Sequence, residues 1–234
     1  YQPTEWRAEL RLLSELRHGV PSRNVIAIWP GEDVTMNRQV VIISAYYDGL
    51  GRAPDGTLYP GANDNASGVA TMLEIARTLK GQQFKPKRTI LFVAWCGGER
   101  HRAVNYATFL EARPGYRDLW EVVATLELDG VGAGSGRSAV IERSSRQRLT
   151  TVVQKAARRV RAPLTTREAG LHADAERWPR PAQSIPGATI SWAGSDALAH
   201  SPGDTPERID PSKMAAVGKI TSLAVMVLAA DPAY

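Results

Sequence analysis

A chain of 234 residues, 43% apolar and 23% charged, has the make-up of a globular protein with one sizeable core, so a single domain over 1–234 is expected. The 29 Lys and Arg exceed the 24 Asp and Glu by only five, and no basic cluster is interleaved with aromatics, which argues against a nucleic-acid partner. The lone Cys96 excludes an internal disulfide, and no run reaches the roughly 18–20 apolar residues of a membrane span.

Elements follow from hydrophobic spacing. Thr4 to Leu16 places Trp6, Leu10, Leu13 and Leu16 at helical intervals, and His18-Gly19 stops it. Asn24 to Trp29 and Gln39 to Ala45 are β-branched runs, and Val40-Val41-Ile42-Ile43 suits a strand buried on both faces. A Gly/Pro/Asp-rich loop spans Asp48 to Asn63. Ala66 to Leu79 is a predicted helix with Val69, Met72, Leu73 and Ala76 on one face.

Thr89 to Trp95 is a further buried strand, Val104 to Glu111 a short helix, and Val122 to Leu128 a strand ending at Asp129. Leu149 to Val160 is a helix whose Lys155, Arg158, Arg159 and nearby Arg161 form a solvated side. The glycines from Gly130 to Gly136 miss any dinucleotide spacing and are expected to form a flexible loop. Ala188 to Trp192 is a short strand, and Pro211 to Leu228 a closing helix whose apolar stretch, Ile220 to Ala230, is too short for a span. Strands alternating with helices predict a three-layer α/β sandwich: a largely parallel mixed sheet with helices on both faces.

In such a sheet the loops beyond the carboxyl ends of the strands build the site. Asp48, Asp64, Glu99 and Asp129 each follow an apolar strand or open a helix, so they are expected to converge. Taken singly, each reads better as a helix cap or loop carboxylate.

Five segments in order carry a resemblance. They are Val40–Asp48, Pro60-Gly61-Ala62-Asn63-Asp64-Asn65-Ala66-Ser67-Gly68, Phe92–Arg100, Leu126–Gly132, and Ala199-His200-Ser201-Pro202-Gly203-Asp204-Thr205-Pro206. From about Asn24 to the last helix the chain resembles the di-zinc aminopeptidase family that includes secreted bacterial leucyl aminopeptidases, glutaminyl cyclases and the transferrin-receptor ectodomain. The resemblance implies a zinc-aminopeptidase fold, peptide or small-molecule substrates, and an extracytoplasmic or secreted setting. The chain begins at Tyr1, which is compatible with a removed leader.

The same resemblance implies roles. Asp64 would bridge two zinc ions, and the peptide bond after it is commonly cis in the family. One ion would add Asp129 and a histidine, but Tyr46 stands where that histidine belongs, ahead of Asp48, the residue that would orient it. The other ion would add His200 and the second of two paired glutamates. The ungapped register puts Gly98 at the general base and Glu99 at the ligand. A one-residue shift instead makes Glu99 the catalytic base and Arg100 the ligand position. Ala173-Asp174-Ala175 stands where Ser-Asp-His is usual.

A metal ligand and one paired glutamate are therefore missing. The surviving metal set, Asp64, Glu99, Asp129 and His200, suits one zinc rather than two, with a metal-free domain as the alternative. Arg100, or less readily His101, could neutralise the crowded carboxylates. Three readings stay open: an aminopeptidase of weak activity, an inactive pseudopeptidase that binds or scaffolds, and a single-zinc acyl-transfer enzyme of glutaminyl-cyclase type.

Overall fold

The computed structural model describes residues 23–96, 120–142, 147–167, 187–197 and 199–234. The expected helices Thr4–Leu16 and Val104–Glu111 lie outside the described residues. So do Gly98, Glu99, Arg100, His101 and the 173–175 segment.

Among the described residues, seven strands form one mixed sheet in the order β1-β5-β2-β6-β9-β7-β8. They are β1 (Val25–Trp29), β2 (Gln39–Tyr46), β5 (Thr89–Trp95), β6 (Glu121–Leu128), β7 (Ala139–Glu142), β8 (Leu164–Arg167) and β9 (Gly187–Trp192). The four central strands β5, β2, β6 and β9 run parallel. β1 and β7 are antiparallel to their inner neighbours. β3 (Gly51–Arg52) and β4 (Leu58–Tyr59) make a small hairpin inside the long loop after β2.

Among the described residues, three helices pack on one face: α1 (Ser67–Gly81), α2 (Gln147–Arg159) and α3 (Pro211–Ala230). Alternation along β2 explains the layering, because successive side chains point to opposite faces. Val41, Ile43 and Ala45 meet Met72, Ile75 and Leu79 of α1 and Val217, Ile220 and Leu228 of α3 in the main core. Val40, Ile42 and Tyr46 join Leu91, Val93 and Trp95 in a second cluster on the opposite face. β2 is thus buried on both faces, as its unbroken apolar run predicts.

α1 differs from its predicted face. Ile75 and Leu79 are buried whereas Leu73 is 62% exposed. Leu73 sits one residue past Met72, about 100° further round the helix, and so faces away from the sheet. α2 turns Leu149, Val153, Ala156 and Ala157 inward and leaves Lys155, Arg158, Arg159 and Arg161 exposed, as expected. α3 starts on Pro211 with Asp210 capping the amide of Ser212 at 2.9 Å. By length and composition α3 could cross a bilayer, which the sequence reading understated. It instead packs Val217, Ile220, Ala224, Val225 and Leu228 into the core.

Gly68, in the first turn of α1, is where helix and sheet come closest. A Cβ there would lie 2.6 Å from the carbonyl oxygen of Leu128 and 2.4 Å from Asn65 Oδ1. Gly68→Ala is expected to destabilise the protein by about 2–3 kcal/mol, the usual size of an overpacking penalty. Urea denaturation measures it, and an unchanged midpoint would contradict the close approach.

Candidate metal and active site

The carboxyl ends of β2 and β6 lie side by side, and two loops reach over them. The residues that build the site come from the end of β2, the irregular turn Ala62–Ala66, the segment after β6, and the loop 199–205.

The turn is held by amides and a carboxylate. Asn65 Nδ2 donates to the Leu128 carbonyl at 2.8 Å, and its Oδ1 accepts from the amide of Gly130 at 3.1 Å. Asn63 Oδ1 accepts from the amides of Gly132 and Ala133 at 2.8 and 2.7 Å. Ser67 Oγ donates to the Asn63 carbonyl and accepts from Val131 N–H. These contacts fix Asp64 between two asparagines that stitch its turn to the end of β6. The peptide bond between Asp64 and Asn65 is cis, as the resemblance implies.

The segment after β6 corrects an expectation. Gly130 to Ala133 are buried, and Gly134 and Gly136 are held by hydrogen bonds to Lys213 Nζ and to the Ala193 carbonyl. The glycines serve close approach: a Cβ on Gly136 would meet the Cβ of Ala193 at 2.2 Å. This is a pinned strap, not a flexible loop.

Asp204 fastens the second loop to the first. Its side-chain oxygens accept from the amides of Asn63 and Asp64 at 2.7 and 2.9 Å, and its carbonyl accepts from Ala62 N–H at 3.2 Å. His200, on the same loop in a left-handed backbone conformation at φ 57°, brings Nε2 to 3.5 Å from Asp64 Oδ2. Asp64 is 8% exposed and the His200 side chain 59%, so the pair spans from interior to solvent. Leu50, Tyr59, Gly61, Ser201 and Asp204 complete a small, open cleft around it.

At the other side of the site, the Tyr46 hydroxyl donates to Asp129 Oδ1 at 3.1 Å. Asp48 is half-buried two residues further on. The phenol of Tyr47, between them in sequence, is pushed above its ordinary pKa, first by its contact with the Cys96 side chain, then by burial and by the charges of Cys96 and Asp48. Tyr47 therefore stays protonated at neutral pH and donates to the Arg23 carbonyl.

The sequence-derived residues fall into two pairs, His200 with Asp64 and Tyr46 with Asp129. Among the described residues no three His, Cys, Asp or Glu side chains come together at metal-binding distance. A phenol that donates a hydrogen bond is protonated, and a protonated phenol is not a zinc ligand. The position at Asp129 does not fit a metal ion. The Asp64–His200 pair does fit one, offering an oxygen and an imidazole nitrogen side by side at the cleft. Residues missed by the sequence reading are Asn63 and Asn65. Their signal was there, as two asparagines flanking an aspartate amid small residues.

Residues 24–225 match peptidase family M28. A probable leucine aminopeptidase of Arthroderma otae is 27% identical over 209 residues, covering 86% of this chain and 56% of the relative. An aminopeptidase from Aneurinibacillus sp. strain AM-1 superposes with a TM-score of 0.72 at 26% identity, over 88% of this chain and 48% of that one. The Bacillus subtilis zinc aminopeptidase BSAP gives the same score at 21% identity, over 89% of this chain and 50% of its own, which is a likeness of fold. The chain spans about half the length of the relatives it matches. A match over most of its length, on a sheet of the same fold, settles the kinship: the chain belongs to peptidase family M28.

Proposed function

We propose that this chain is a metallopeptidase-like domain that takes the N-terminal ends of peptides and holds one zinc ion, with aminopeptidase activity weak or absent. The observation that carries this reading is the Asp64–His200 pair at the mouth of the cleft, set against the Tyr46–Asp129 pair that answers it on the other side. Glu99, three residues beyond Cys96, completes the ligand set in the ungapped register.

Zinc bound there would act as a Lewis acid toward a carbonyl and its water. What this chain adds is positioning: Asp204 and the two asparagines hold Asp64 still at the edge of the cleft. What it lacks is a base, since Gly98 has no side chain to accept a proton. General-base catalysis is typically worth on the order of 10²- to 10⁴-fold.

The test uses the whole chain with aminoacyl anilides and metal analysis. Wild-type protein is expected to carry one zinc and turn over slowly, and Gly98→Glu to raise kcat on the order of 10²-fold or more. Glu99→Gln is expected to lose the zinc. Brisk wild-type turnover, abolished by Glu99→Gln with zinc retained, would instead make Glu99 the base and overturn the proposal. The Tyr46–Asp129 pair favours a second reading, an inactive peptidase-like binding module. Zinc-free protein without turnover would select it.

A further inference from the structure

We infer that the hydrogen bond from Tyr46 to Asp129 is a lock on the metal position next to Asp64, so that one side chain sets how many ions this site can hold. The inference rests on the single-zinc reading above and explains what enforces the number.

β2 and β6 are adjacent parallel strands with Ser44 opposite Glu127, and the same register carries Tyr46 alongside Asp129. Tyr46 is wholly buried, so its hydroxyl must find a partner inside the protein. It finds the carboxylate of Asp129 at 3.1 Å. The ring is packed among Val40, Ile42, Leu91, Val93 and Trp95 and has no room to rotate away. Asp129 is held from its other side, because the flanking Leu128 carbonyl and Gly130 amide are both tied to the Asn65 side chain. The Tyr46 ring cannot swing aside, and the backbone that carries Asp129 cannot retreat to admit an ion between them.

The Tyr46 hydroxyl is spent as a donor to Asp129, and a phenol that keeps its proton on a carboxylate offers a metal no ligand. Full burial also keeps Tyr46 from touching a substrate, which rules out a catalytic part for it. Its effect is exerted through Asp129. A tyrosine in a core satisfies its hydroxyl on any convenient acceptor. Here the acceptor is a carboxylate at the strand end, one loop away from Asp64, and the bond therefore occupies chemistry as well as space.

An imidazole is shorter than a phenol by roughly one metal–ligand bond, about 2 Å. Tyr46→His withdraws the donor by that amount and leaves a gap between a nitrogen and Asp129, at the strand end to which the Asn65 side chain ties the Asp64 turn. The test measures zinc per chain by mass spectrometry after saturation with zinc chloride and gel filtration. Tyr46→His is expected to hold one zinc more than the wild type, and Tyr46→Phe, which opens no ligand, to hold no more than the wild type. Equal zinc in wild type and Tyr46→His, or two zinc in the wild type, overturns the lock. A wild type with no zinc and a Tyr46→His variant with one sinks the single-zinc reading while supporting the lock. If Tyr46→His does not fold, a thermal cycle of Tyr46→Phe, Asp129→Asn and the double variant decides. Coupled shifts support the lock, and additive ones remove the bond it is built on.

Discussion

Asp204→Ala is expected to lower stability by about 3–6 kcal/mol, because hydrogen bonds to a charged group are worth about 1.5–3 kcal/mol each and two are lost. The side chain is 1% exposed, so no water replaces it on the amides of Asn63 and Asp64. Asp204→Asn is expected to fare nearly as badly. An amide keeps one acceptor oxygen and turns an N–H₂ toward a backbone N–H, setting donor against donor. Urea denaturation of the two variants checks this, and an Asn variant close to wild type would show that one acceptor suffices. On the single-zinc reading, both variants also lose zinc affinity by roughly 10- to 100-fold, the usual effect of removing a group that orients a ligand. A merely structural Asp204 would leave affinity in the folded fraction unchanged.

Arg88→Met is expected to cost a similar amount, about 3–5 kcal/mol, with a fall in Tm of about 10 °C for a chain of this size. Arg88 lies at the start of β5 with 3% of its surface exposed. Its guanidinium donates to Gln39 Oε1 at 2.7 Å, to the Leu228 carbonyl at 2.8 Å and to the Asp231 carbonyl at 2.7 Å. The last two are carbonyls at the C-terminus of α3, which have no partner within the helix. Burial lowers the Arg88 pKa, opposed by the charge of Asp231, but a guanidinium starts so high that it stays cationic. Met fills the volume of the stem without serving the carbonyls, whereas Arg88→Lys keeps a charge and one or two of the bonds. The expected order of Tm is therefore wild type, then Lys, then Met. A Met variant as stable as the wild type would mean that water reaches the end of α3.

The strongest sequence signals were long and apolar. β2 and β5 are long apolar runs, and the predicted bounds Gln39–Ala45 and Thr89–Trp95 lie within a residue of the observed Gln39–Tyr46 and Thr89–Trp95. α1, α2 and α3 carry enough turns for their spacing to show, although their ends shift by one or two residues, as fraying ends do. Strands of four residues or fewer were not legible. β7 has four residues behind a glycine-rich stretch, and β8, Leu164-Thr165-Thr166-Arg167, is a half-exposed edge with a polar pattern. β3 and β4 have two residues each, too few for any periodicity.

Candidate site positions were legible as chemistry but not as partners. Asp64 and Asp129 follow from where they sit in the strand and loop order and His200 from the family resemblance, yet nothing in the string places Tyr46 on Asp129 or Asp204 on the Asn63 and Asp64 amides. Those bonds join residues 83, 141 and 140 positions apart, and such pairings are set by how the whole sheet closes. The glycines after Asp129 misled for the same reason. Composition alone suggests mobility, whereas the Asn63 and Lys213 contacts that pin them come from distant parts of the chain.

That separation matters during synthesis. Ribosomes add about 5–20 residues per second, so many seconds pass between the emergence of Asp64 and of Asp204, and between Arg88 and Asp231. Until then the turn around Asp64 has no carboxylate to receive its amides, and β5 has no helix end to grip. A nascent chain stalled before residue 204 would carry β2, α1 and β5 with their apolar faces uncovered, in the state that invites a chaperone. Closure of this fold therefore waits until residues 204 and 231 have emerged, and the cleft takes shape only then.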